Sequence, residues 1–323
     1  MKRRAFVLGL STVAAAWPLR ARAEGALRTV GLWWSPSQAN DTLSRYKQRL
    51  AELGWSEGRN VRVQLRAWEG DTATMRDQAG ELLAMHPDVI VVSSNPAVAI
   101  LKPLTGQVPV VFVFVADPVG SGFVESLSHP GGNITGFTNF EPAMGGKWLE
   151  VLREAVPAMT TVLVLMHPET TAHQQFWRAI EQVAGPLRVE AVPAGVHNAE
   201  EIERAIAGFA TRQNGGIIAL PHPISEVHRD LIIQRATSYS LPTIFAFAVH
   251  ASAGALVTYG IDLSAALLQT TGYVDRIFRG TKPADLPVQA PQTFELAVNL
   301  KTAKALDLTI SPAMLARADK VIE

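Results

Sequence analysis

Ten residues stand where side chains could grip a small molecule: Trp34, Ser35, Ser94, Asn95, Asp117, His167, His222, Phe247, Tyr259 and Asp262. Most close an apolar run or follow it directly, and Tyr259 and Asp262 lie near an expected chain crossing. Trp34, Phe247 and Tyr259 offer flat apolar walls. The Ser94 hydroxyl, with unpaired amides at a helix start after Asn95, could meet a carboxylate. Asp117 or Asp262 could answer an ammonium, because an unpaired buried charge is strongly disfavoured. Each has a plainer role open to it. Trp34 could pack a sheet edge; Ser94, Asn95 and Asp262 could cap helices; Asp117, before Pro118, could shape a turn.

Other chemistries fit poorly. The chain has no cysteine, which removes disulfides, thiolate metal sites and a cysteine nucleophile. His167, His173, His222, His228 and His250 show neither HxH nor HExxH spacing, so no metal is expected. No G-x-S-x-G turn presents a serine nucleophile, and Gly131-Gly132 reads as a turn, with no phosphate-binding pattern around it. No cofactor is expected. With 29 basic and 29 acidic residues and no long charge run, nothing suggests a nucleic-acid groove.

The elements that must position these residues alternate. Apolar runs at 29–34, 61–67, 89–92, 109–115 and 134–139 read as strands, with a helix over 42–53 stopped by Gly54. The runs 89–92 and 109–115 are continuously apolar, as in parallel strands covered on both faces. The pattern then restarts: strands at 161–166, 187–193, 216–220 and 242–247, with helices over 146–155, 172–183, 199–210 and 224–238. A tail follows, with a strand at 255–259, a helix over 265–279, a proline-rich connection at 281–291, a strand at 294–299 and a final helix near 312–321. Two such series in 323 residues predict two doubly wound α/β lobes with parallel sheets, and ligands of such sheets lie beyond the strands' carboxyl ends. The tail completes both lobes. The expected division is 24–140 plus 258–286 for the N-terminal lobe and 141–257 plus 287–323 for the C-terminal lobe. Several crossings make a hinge that closes on ligand.

The first 23 residues read as an export signal. Lys2, Arg3 and Arg4 form a positive start, 6–17 is a short apolar stretch, and Ala21-Arg22-Ala23 is a small-x-small cleavage site. Arg3-Arg4-Ala5-Phe6 also resembles a twin-arginine signal. Cleavage after Ala23 leaves 24 basic and 29 acidic residues, a net charge of −5.

Several segments resemble a known family. They are Asp117-Pro118-Val119-Gly120-Ser121-Gly122, Pro130-Gly131-Gly132-Asn133-Ile134-Thr135-Gly136, Tyr273-Val274-Asp275-Arg276-Ile277, the run from Gly280 to Pro287, and the run from Phe294 to Leu306. In order and spacing they are similar to ABC-transporter substrate-binding proteins of the tryptophan- and tyrosine-uptake kind, with the type I periplasmic-binding fold. The chain departs from that pattern at Trp33-Trp34-Ser35, where the family usually carries small or polar residues. The resemblance implies a periplasmic, monomeric binding protein without enzymatic activity or nucleic-acid partner. It would hold a small amphiphile, an aromatic amino acid or aromatic acid, in an inter-lobe cleft and hand it to an inner-membrane ABC permease. The same fold could serve a ligand-sensing module for a membrane receptor.

Overall fold

Two sheets take up the apolar runs in the computed structural model, which describes residues 27–34, 39–67, 72–291 and 293–323. The first contains β1 (Arg28–Trp34), β2 (Val61–Ala67), β3 (Val89–Ser93), β4 (Val110–Val115) and β5 (Ile134–Thr138), in the order β2-β1-β3-β4-β5, all parallel. Every residue of β3 and β4 is buried. That follows from their unbroken Val, Ile and Phe content, because each strand is covered on both faces. The covering helices are α1 (Ala39–Glu52), α2 (Thr72–Ala84) and α3 (Asn95–Leu101).

The second sheet contains β6 (Thr161–Met166), β7 (Glu190–Gly195), β8 (Gly215–Ala219), β9 (Thr243–Phe245), β10 (Val257–Gly260), β11 (Glu295–Asn299) and β12 (Lys320–Ile322). Its order is β12-β11-β10-β9-β8-β6-β7, parallel except for the β10–β11 pair. Its helices are α4 (Met144–Ala155), α5 (Thr171–Ala184), α6 (Ala199–Phe209), α7 (Pro223–Val227), α8 (Arg229–Ser238) and α9 (Ala248–Ala253). After them come α10 (Leu263–Phe278), α11 (Leu300–Ala305) and α12 (Pro312–Arg317).

Between the sheets the chain crosses three times. It first leaves β5 for α4. After β10 it returns, and α10 packs on the first lobe: Thr270 Oγ1 donates to the Tyr46 hydroxyl at 3.1 Å, and Trp55 Nε1 donates to Asp275 Oδ1 at 2.9 Å. The third crossing follows Gln289, whose amide and carbonyl pair with Gly136 and Thr138 beside β5. The expected lobe boundaries therefore shift. Residues 258–260 belong to the second sheet as part of β10, and 287–289 stay with the first.

Three further points differ from the sequence pattern. The helix expected over 224–238 breaks at His228, whose ψ of 17° leaves the helical range; α7 lines the cleft while α8 packs on α6 and α9. The segment 248–253, to which the sequence pattern assigns no element, is helical. The final helix stops at Arg317 because Asp319 accepts the Leu296 amide at 2.8 Å, turning 320–322 into an edge strand beside β11.

One apolar core cluster runs through both lobes. At the first crossing Phe140 meets Trp148 (5.2 Å between centroids), Phe247 (5.8 Å) and Phe176 (6.5 Å). Trp148 Nε1 donates to the Tyr259 carbonyl at 2.8 Å, tying α4 to β10. Gly145 makes this closeness possible: a Cβ there would lie 2.2 Å from the Phe176 carbonyl oxygen.

Candidate ligand-binding site

Strand order locates the cleft. In the first sheet the order in which strands are added reverses between β1 and β3, and in the second between β6 and β8. Such switch points leave a crevice beyond the strand ends. A cavity lies between the lobes there, lined by residues that follow β3, β4 and β8 and by α5, α7 and Phe247. It is narrow, with a cavity volume of about 50 Å³. A ligand of amino-acid size needs more room than this arrangement leaves.

From the first lobe, Ser94 turns the chain out of β3 with φ 85° and ψ 149°, a conformation that non-glycine residues rarely adopt. Such strain costs on the order of 1–3 kcal/mol and is typical of binding sites. Its Oγ is buried without a partner. Asn95 is fully engaged: its Oδ1 accepts the Ala116 amide at 2.9 Å and its Nδ2 donates to the Ala116 carbonyl at 2.7 Å. It braces the end of β4 and leaves little for a ligand. A register shift in β4 between Phe112 and Val115, with Phe114 at φ 57°, puts Phe114 into the cavity wall opposite Phe247, 6.0 Å away.

From the second lobe come three imidazoles. His173 Nδ1 accepts the His167 amide at 2.8 Å, so its Nε2–H donates to the Pro221 carbonyl at 3.2 Å. Burial lowers its pKa to about 4, and it stays neutral. His222 Nδ1 accepts the Ile224 amide at 3.2 Å, which assigns its proton to Nε2. That Nε2–H is buried without a partner, and burial holds the ring's pKa well below the usual histidine value. His167 stacks on it at 4.3 Å and 13°, fixing its plane. The cavity thus presents two neutral unpartnered groups, the Ser94 hydroxyl and the His222 N–H. It has one carboxylate, Glu226, to which His250 Nε2 lies at 3.1 Å, and no lysine or arginine among its lining residues.

Of the ten expected residues, Ser94, Asn95, His222 and Phe247 line this cavity. His167 lies in the adjoining groove. Trp34 does not reach the cavity: it is fully enclosed in the first lobe's core, edge-on to Tyr46 at 5.5 Å, because its side of β1 faces α1. Tyr259 stacks on Phe294 at 5.9 Å, over a separate groove. Asp262 caps α10, accepting the amides of Ser264 (2.8 Å) and Ala265 (3.1 Å). Ser35 lies outside the described residues. Sequence reasoning missed Phe114, hidden in an all-apolar strand, and Glu226, one helical turn beyond His222.

Asp117 does something else. One carboxylate oxygen accepts the Gly120 amide at 2.9 Å, and the other accepts Gln175 Nε2 from α5. This bond joins the lobes across the cleft. Gln175→Ala is expected to speed ligand dissociation roughly two- to tenfold, the effect of losing one ordinary hydrogen bond between the lobes. Stopped-flow fluorescence checks this, and an unchanged rate would show that closure does not depend on the bond.

A family model described as ABC transporter substrate binding protein matches residues 36–322. A tyrosine-binding protein from Clostridioides difficile (strain R20291) is 24% identical over 262 residues, covering 80% of this chain and 74% of the relative. A solved ABC domain in complex with L-Trp from Streptococcus pneumonia shares the fold with a TM-score of 0.83 at 23% identity, covering 92% of this chain and all of that one. A conserved domain protein from Vibrio cholerae has a TM-score of 0.82 at 26% identity, covering 91% and 99%. Two lobes and a three-stranded crossing agree with that match: the chain belongs to the ABC transporter substrate-binding protein family.

Proposed function

We propose that this protein is exported to the periplasm, loses its signal after Ala23, and as a monomer captures an aromatic amino acid for an inner-membrane ABC importer. The cavity's composition carries this reading: aromatic walls from Phe114, Phe176 and Phe247, with unpartnered donors at Ser94 and His222 and a carboxylate at Glu226. An aromatic side chain would lie among the phenyl rings, where offset contacts add roughly 0.5–1.5 kcal/mol beyond burial. The ligand carboxylate would accept from Ser94 and His222, and its ammonium would face Glu226. The names of the tyrosine-binding relative and the tryptophan-bound structure point to the same ligand class. Among the described residues no helix is long and apolar enough to cross a membrane.

Native mass spectrometry of protein purified from its own periplasm, followed by calorimetry, tests this. L-tryptophan or L-tyrosine should bind at one site and compete with any carried ligand. Tight binding of a sugar or a branched-chain amino acid, with no heat from aromatic amino acids, would overturn the ligand class.

A further inference from the structure

We propose that His167, Glu169 and His197 form a binding site for a zinc-class divalent cation on the rim of the second lobe. β6 and β7 are parallel neighbours in register, Met166 beside Gly195. The segments leaving them therefore emerge side by side, which brings His167 and Glu169 against His197. One ligand atom from each of the three residues lies within 4.8 Å of the others. His167 Nδ1 is 3.0 Å from Glu169 Oε2, and His197 Nε2 is 3.0 Å from Glu169 Oε1 and 3.2 Å from Oε2. Bonds of about 2.0–2.1 Å in a tetrahedral zinc site put neighbouring ligand atoms roughly 3.3 Å apart, so small movements bring these groups onto one ion.

The outer ring nitrogen supplies a second observation. His197 Nδ1 lies 2.8 Å from Glu201 Oε2, which also accepts the His197 backbone amide at 2.8 Å. Glu201 is itself fixed, since its amide donates to Asn198 Oδ1 at 3.0 Å as α6 begins. A carboxylate behind the imidazole is the usual support of a metal-bound histidine. With Nδ1–H given to Glu201, the Nε2 lone pair points at two carboxylate oxygens. That arrangement needs a positive charge between them. A proton on each histidine would meet the need twice over; one metal ion meets it once, for all three groups.

Three protein ligands leave a fourth position for water. It would open to the inter-lobe groove that His167 and Glu169 line with Asn95 and Ser121 of the first lobe. Both histidines are neutral-ring ligands of the kind zinc, copper and nickel prefer, and the mixed nitrogen and oxygen set disfavours calcium and magnesium. Histidine spacing along the chain points away from a metal, because these ligands sit on two loops rather than one element.

The test uses the mature, tag-free chain, treated with chelator and then dialysed. Titration with zinc chloride alone should show one saturable site and raise the melting temperature. Cobalt should give the visible absorption of a four-coordinate ion. His197→Ala and Glu169→Gln should each weaken zinc binding at least tenfold, while His129→Ala, whose ring bonds Ser128 in a first-lobe turn, should leave it unchanged. Absence of saturable binding, or equal binding by wild type and His197→Ala, overturns the site and leaves a plain cluster of ion pairs.

Discussion

Glu226→Gln is expected to lower the affinity for L-tryptophan about a hundredfold, near 2.7 kcal/mol, while binding of indole-3-propionate, which lacks the ammonium, stays the same or improves. The reason is charge. Glu226 is the one carboxylate lining the cavity, its side chain is only 11% exposed, and His250 orients it from behind at 3.1 Å. A ligand ammonium buried there pairs with it, and truncating one partner of a buried charge pair costs roughly 2–5 kcal/mol. The des-amino compound leaves Glu226 with His250 as its partner in the wild type and gains nothing from the carboxylate. Wild type should therefore discriminate strongly between the two ligands, and the variant weakly. Calorimetry on the four combinations measures the coupling. If both ligands lose affinity equally, Glu226 only holds α7 and His250 in place, and the ammonium must be answered elsewhere.

The contrast between Glu226 and the aspartates expected in this role shows what the sequence carried. Asp117 and Asp262 both stand at strand ends, and both spend their oxygens within the protein, on Gly120 and Gln175 in one case and on the start of α10 in the other. Types and positions were visible; the competing local donors were not. The architecture was easier. Unbroken runs such as Val-Ile-Val-Val at 89–92 have few homes other than a covered parallel strand, and the restart at Thr161 marked the second lobe. What failed was pairing at the hinge. Residues 258–260 and 287–289 lie within a few residues of a crossing, and only hydrogen-bond partners decide which sheet receives them. His197 was overlooked for a similar reason. Its neighbours in space, His167 and Glu169, are about thirty residues away, and adjacency of β6 and β7 alone brings them together.

Trp34 allows the sharpest separation of packing from binding. The sequence offered it as a wall of the cleft; in the fold it is fully enclosed among the core residues of the first lobe. Its ring meets Tyr46 of α1 edge-on, and the Tyr46 hydroxyl accepts from Thr270 of α10, the helix that returns from the second lobe. Trp34→Ala should therefore destabilise the protein by about 3–5 kcal/mol, the range for emptying a large aromatic site in a core. The void would open where β1, α1 and α10 meet. Trp34→Phe should cost much less. It keeps most of the ring contact, and it removes an indole N–H that is buried without a partner among the described residues, so no hydrogen bond is lost. Urea unfolding of the three proteins gives the stabilities, and calorimetry at low temperature, where the alanine variant is still folded, gives ligand affinities. A large loss of stability with affinity within a few-fold of wild type is the expected pair of results. Affinity falling tenfold or more in a folded Trp34→Ala protein, with stability little changed, would return Trp34 to the cleft. The phenylalanine variant keeps the question answerable if the alanine variant does not fold: it should bind aromatic amino acids as wild type does, because the rings that face the ligand are Phe114, Phe176 and Phe247.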